Sequence, residues 1–186
     1  MADRDWNDVE ACRNGDDEAY ARLVKRYEVE IAAQMWRFSR DPMVHRELVQ
    51  DVFVESYYSL KGFRGDAPFL HWLRRIATRV GYRYWKKRSR EPVKVPLEEW
   101  DGAQQPEVSM EATRAATILH ALLARLPPKD RLVLTLIYFE DCSTSEIASR
   151  TGWSQGMVKM RAHRARKKLK AIAEQENLVE DLRWTS

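Results

Sequence analysis

The chain has 186 residues and a mass of 21.9 kDa, with 44% hydrophobic and 32% charged residues and only seven glycines and seven prolines. That composition excludes wholesale disorder, collagen-like repeats and low-complexity sequence, and leaves room for one large or two small domains. No apolar run approaches the roughly 20 residues that span a bilayer, and Met1-Ala-Asp-Arg-Asp5 has no basic segment leading into an apolar one, so a cytoplasmic protein is expected.

In chain order, Asn14, Gly15 and Asp16 supply a start signal, and Tyr20, Leu23, Val24, Tyr27, Ile31, Met35 and Phe38 recur at three- and four-residue steps, predicting a helix from about Asp17 to Arg40. Val44, Leu48, Val49, Val52, Phe53, Ser56 and Leu60 predict a second helix that stops near Gly62. After the turn-prone run Gly62 to Pro68, the stripe Phe69, Trp72, Leu73, Ile76, Ala77, Val80 and Tyr84 predicts a third. Pro92, Pro96 and Pro106, many acids and no sustained period mark residues 91–111 as a linker between a domain at 1–90 and one at 112–186.

Beyond the linker, Ala115, Ile118, Leu119, Leu122 and Leu126 predict a helix ended by Pro127-Pro128, and Leu132, Val133, Leu136 and Ile137 the next. Ser143 and Glu146 form a capping-box pattern for a short helix closed by Gly152. Ser154 then caps a last helix with Val158, Ala162, Ala165 and Leu169 on its buried side. With no strand pattern, the fold class is all-α: two small helical domains, the second a helix-turn-helix.

The net charge of +4 conceals a partition. Residues 1–60 carry 8 basic and 13 acidic groups, residues 61–90 carry 10 and 1, and residues 151–170 carry 7 and none. Two separated basic helices are the electrostatic footprint of a chain that meets a nucleic-acid backbone at two places.

In the final helix, Lys159, Met160, His163, Arg164 and Lys167 lie opposite the apolar stripe, where they can enter a major groove, while Arg161, Arg166 and Lys168 flank that face toward phosphates. A solvated basic helix closing a bundle is the plainer alternative. The earlier basic block interleaves rings with cations, the chemistry of single-strand binding. Phe69 and Trp72 fall on its apolar stripe and read as core, whereas Tyr82 and Trp85 lie off it and read as stacking residues.

Glu47, Asp51 and Glu55 line one helix face, but no Glu-x-x-His partner accompanies them, and His45, His71, His120 and His163 are dispersed. Cys12 and Cys142 show neither CxxC nor Cys/His ligand spacing. No nucleophile-base motif or phosphate loop is present, so the chain is not read as an enzyme, and no metal, cofactor or small-molecule substrate is expected.

Glu47-Leu-Val-Gln-Asp-Val-Phe53, Gly62-Phe-Arg-Gly-Asp-Ala-Pro-Phe-Leu-His-Trp-Leu-Arg-Arg-Ile-Ala77, Leu126-Pro-Pro-Lys-Asp-Arg131, and Glu146-Ile-Ala148 leading into Val158 to Arg166 together resemble the extracytoplasmic-function sigma factors of bacterial RNA polymerase. The likeness covers about residues 16–172. It implies that 1–90 is a region 2-like domain for polymerase docking, −10 recognition and melting, and that 112–186 is a region 4-like domain for the −35 element.

By matching positions, Glu47, Gln50, Asp51, Phe53 and Tyr57 would face the polymerase clamp coiled coil. Phe63, Arg64, Asp66 and Ala67 would form the loop that captures a flipped −10 base, with Arg75, Arg79, Tyr82, Arg83, Lys86 and Lys87 on the melted strand and upstream phosphates. Ser154, Lys159, Met160, Arg161, His163, Arg164, Arg166, Lys167 and Lys168 would meet the −35 duplex. The implied partners are core polymerase through its clamp and flap, promoter DNA, and an anti-sigma factor, often membrane-anchored in this family. The other reading is a stand-alone helix-turn-helix regulator of duplex DNA; a weaker third is a carboxylate metal enzyme using Glu47, Asp51 and Glu55.

Overall fold

The structure is a computed structural model that describes residues 2–90 and 118–175. The predicted linker at 91–111 lies outside the described residues, as do the first residues of the predicted second domain. Helices α1 (Ala2–Arg13), α2 (Asp17–Met35), α3 (Pro42–Ser59) and α4 (Phe69–Arg88) make up the first half, with a 3₁₀ turn at Leu60–Gly62. Helical residues 118–124 (α5), α6 (Pro128–Tyr138), α7 (Thr144–Thr151) and α8 (Gln155–Gln175) make up the second. Among the described residues there is no strand, and no helix is long and apolar enough to cross a membrane.

The caps explain where the helices begin. Asp16 accepts the Ala19 amide at 3.2 Å to open α2, and Asp41 accepts the Met43 and Val44 amides to open α3. Ser143 and Glu146 complete the capping box of α7, and Gly152 ends that helix at φ +75°, a left-handed backbone conformation suited to glycine. Ser154 accepts the Met157 amide at 3.2 Å.

Leu23, Ile31, Met35, Val52, Phe69, Leu73 and Ile76 fill the centre of the first half. Val158, Ala162, Ala165 and Leu169 are buried as their spacing predicts. One apolar cluster runs on from the first half into Leu132, Val133, Leu136, Ile147 and Val158 of the second, so α6 and α7 pack on α4.

The sequence reading did not foresee α1. Among its described side chains Val9 is the only fully buried apolar one, and the helix is held instead by two buried carboxylates. Asp5 accepts from Tyr27 Oη and from Arg26, both at 2.5 Å, while Asp8 accepts from Arg26 at 2.6 Å and Arg22 at 2.9 Å. A helix seated by ion pairs leaves little apolar periodicity to read.

Candidate polymerase and nucleic-acid interfaces

Helix α3 presents the acidic face. Its stripe Leu48, Val52, Phe53 and Ser56 is buried, leaving Glu47, Gln50, Asp51 and Tyr57 exposed. Phe53, only 8% exposed, belongs to the core beneath that face. Gln50 and Tyr57 border a groove of about 1010 Å³ between α2 and α3, floored by Tyr20, Val24, Val49 and Phe53. Val54 and Tyr58, exposed by 46% and 81%, stand beside them on α3. Such a channel suits a partner helix. The sequence reading missed Val54 and Tyr58; their signal was apolar character off the buried stripe.

Glu47 and Asp51 point the other way, into a second groove shared with Arg83, Lys86 and Lys87 of α4. Glu55 is not free for a metal: Arg83 and Arg79 both donate to it, and the Arg83 hydrogen bond holds its carboxyl below the usual range against the opposing effect of burial. Among the described residues no cluster of His, Cys, Asp and Glu could hold a metal ion.

The loop after the 3₁₀ turn places Arg64, Asp66 and Ala67 at the surface, while Phe63 is 5% exposed, its ring against Trp6, Phe69 and Trp72. Phe63 therefore anchors the loop rather than projecting from it. Arg75 and Arg79 are exposed along α4 and, with Arg64 and Arg74, line a cleft of about 480 Å³ whose far wall is Ser149 and Arg150 of α7. Arg83, Lys86 and Lys87 continue the cationic surface, with Tyr82 partly buried against the core.

Trp85 departs from the expectation of a stacking residue. It is 4% exposed, its Nε1 donates to the Phe38 carbonyl at 2.8 Å, and its ring packs 4.5 Å from that of Phe38. The ring is enclosed between Phe38 and, on the side of α6, the guanidinium of Arg131.

On α8, Lys159, Met160, His163, Arg164 and Lys167 are exposed, and Ser154 sits at the helix start. Arg166 donates to Tyr138 Oη at 2.8 Å. Arg161 and Lys168 both reach the buried carboxylate of Asp130, at 3.2 and 2.6 Å, and Arg161 also lies over the Trp153 ring. These two cations tie α8 to the first turn of α6, a structural use that their spacing did not disclose. Cys12 and Cys142 carry free thiols; burial pushes that of Cys142 up to about 11.

Two family profiles match the chain. The family profile for Sigma-70 region 2 matches residues 23–91, and that for Sigma-70, region 4 matches residues 116–169. The RNA polymerase sigma-H factor of Pseudomonas aeruginosa is 30% identical, over 88% of this chain and 91% of that protein. The ECF RNA polymerase sigma-E factor of Escherichia coli K12 is 31% identical, over 85% and 88%. Among solved structures, CnrH in complex with the cytosolic domain of CnrY aligns over 94% of this chain and 99% of that one, with a TM-score of 0.61 at 25% identity. Sigma factor RpoE in complex with the anti-sigma factor NepR, from Bartonella quintana, shares the fold with a TM-score of 0.61 at 21% identity, over 83% and 96%.

Proposed function

The chain belongs to the extracytoplasmic-function group of the sigma-70 family, and from that membership we propose how its surfaces divide the work. It is an RNA polymerase sigma factor: it binds core RNA polymerase and directs promoter-specific initiation by reading −35 and −10 elements and aiding DNA melting. The observation that carries this is the order on one chain of a region 2 segment with the cationic α4 and a region 4 segment with the cationic α8. A stand-alone duplex-binding regulator would have no use for the first segment.

Residues 1–90 form the docking and melting domain, 91–111 the linker, and 112–186 the −35 domain. The groove of α2 and α3 receives the clamp coiled coil, with Gln50 and Tyr57 at its border, Phe53 in its floor, and Glu47 and Asp51 beside it. Arg64, Asp66 and Ala67, braced by Phe63, take an extruded −10 base. Arg75, Arg79, Arg83, Lys86 and Lys87, with Tyr82, hold the strand and its phosphates. Ser154, Lys159, Met160, His163, Arg164 and Lys167 meet the −35 duplex, with Arg161, Arg166 and Lys168 at its edge.

Catalysis stays with the polymerase, so the chain is not itself an enzyme. An anti-sigma factor that covers the docking and DNA surfaces is the inhibitory partner, and the cytoplasm is where all three meet.

The docking assignment is tested by Gln50→Ala with Asp51→Ala. Both side chains are exposed, so helical melting should stay nearly unchanged. Affinity for core polymerase should fall by about fivefold, the effect of losing roughly 1 kcal/mol of contacts at the border of an interface. Unchanged affinity would put the docking face elsewhere.

A further inference from the structure

The loop proposed to take the −10 base is built against a residue outside every motif above. Trp6 of α1 sits on it: its Cζ3 lies 2.9 Å from where a Cβ on Gly65 would stand, and its ring is 6.1 Å from that of Phe63. Gly65 has φ +77°, so two independent constraints exclude a side chain there, the backbone conformation and the indole.

Helix α1 is locked to the loop rather than lying loosely over it. Arg13 donates to the carbonyls of Leu60 at 2.9 Å, Lys61 at 3.3 Å and Phe63, and its guanidinium stands 5.4 Å over the Trp6 ring. Asp5 and Asp8 fix the same helix to α2 through Arg26, Arg22 and Tyr27.

Two concave sites flank the loop and share Phe63, Arg64, Asp66 and Ala67, but they differ in what faces the loop. The cleft toward α7 is lined by Arg64, Arg74, Arg75 and Arg79, which suits phosphates. The cavity toward α1, about 410 Å³, is walled by Trp6, Phe63, Gly65, Asp66, Pro68 and Phe69. Its size falls within the range of about 300 to 1,000 Å³ of small-ligand sites, and beside its rings it has Arg64 and two carboxylates, of which Asp5 is taken up by Arg26 and Tyr27 and Asp66 stands exposed at the rim. Trp6 remains 36% exposed, so part of its ring surface is open to a ligand.

We propose that Trp6 is a base-retaining residue of the melted promoter complex: the extruded −10 base enters the α1-side cavity and stacks on the Trp6 indole, while its phosphates stay on the arginine side of the loop. This rests on the reading that residues 63–67 capture an extruded base. An indole platform accepts any base through its π-face, so Trp6 supplies retention, and Asp66 at the rim selects among bases that can donate a hydrogen bond to a carboxylate.

The test uses holoenzyme reconstituted with core polymerase and fork-junction promoter DNA, in which each nontemplate −10 nucleotide in turn is made abasic. With the natural protein, one position should weaken binding about 5- to 100-fold when its base is removed, the span expected for one stacked base. Trp6→Ala should weaken binding to intact DNA similarly and abolish the abasic effect at that position alone, while Trp6→Phe should keep most of it.

If Trp6→Ala lowers affinity by the same factor on intact and abasic DNA, Trp6 only supports the loop, and the inference falls while the loop assignment stands. If no abasic position matters with the natural protein, the loop assignment falls and the inference with it. Should circular dichroism show Trp6→Ala unfolded, Trp6→Phe and Trp6→Leu carry the same comparison, a ring against an aliphatic chain of similar reach.

Discussion

The guanidinium carbon of Arg131 lies 3.9 Å from the centre of the Trp85 ring, where the start of α6 meets the end of α4. Burial pushes the Arg131 guanidinium down to about 10, so it is still charged at neutral pH and largely stripped of water. A desolvated cation over indole is worth about 2 kcal/mol. Trp85 is thereby committed to joining the two halves of the molecule, which is why its ring is absent from the exposed cationic surface of α4.

Glu140 completes the junction from the other side. Its side chain is 5% exposed and accepts from Arg37 of the first half and, at 3.0 Å, from Arg150 of α7. Glu140→Gln leaves two partly buried cations without their counter-charge, and docking of the halves should weaken by about 2 kcal/mol, less than for a fully buried pair because Arg37 keeps some contact with water. Small-angle scattering in rising urea should show the variant expanding at lower denaturant than the parent.

A pH dependence follows from His120. Its Nε2 lies 3.4 Å from Arg131 Nη2, and burial, reinforced by the nearby charges of Arg131 and Arg40, lowers its pKa from 6.5 to about 4; the Arg37 backbone acts weakly the other way. The unfolded chain then binds more protons than the folded one between those values. Stability is complete above pH 6.5 and is lost as pH falls through that window toward 4. The loss between pH 7 and pH 5 should be about 2 kcal/mol. Urea unfolding at the two pH values measures it, and His120→Gln should remove most of the difference.

The helical faces were legible from apolar spacing wherever a helix buries one stripe against one neighbour: Leu48, Val52 and Ser56 on α3, and Val158, Ala162, Ala165 and Leu169 on α8, are all buried. Capping chemistry read equally well, because Asp16, Ser143 and Gly152 act within a few residues of themselves. What spacing could not reveal was long-range partnership. Asp5 and Asp8 look like solvent-facing acids until Arg26 and Tyr27 are brought beside them. Lys168 reads as a phosphate ligand alone, and its second role, holding α8 to Asp130 of α6, is invisible in the spacing. Trp85 reads as exposed because the partners that bury it, Phe38 before it and Arg131 after it, are both distant in the chain.

The two groups of α8 cations should separate experimentally. Arg164→Ala should flatten preference among single-base −35 variants by about 1 to 3 kcal/mol of lost discrimination with an unchanged melting curve, since its side chain is exposed. Lys168→Ala should weaken all variants alike, reduce the salt slope by about one unit, and also lower the melting temperature, because Asp130 keeps only Arg161. Binding titrations at several salt concentrations, paired with thermal melts of each variant, provide both readouts.

The central claim is tested most directly by run-off transcription with purified core polymerase on a pool of duplex genomic fragments, with and without the protein, followed by sequencing of transcript 5′ ends. The account predicts new transcripts that appear only with the protein and start a fixed distance downstream of a shared pair of −35 and −10 sequences. Transcripts indifferent to the protein, or repression through a single duplex element with no new start sites, would contradict it.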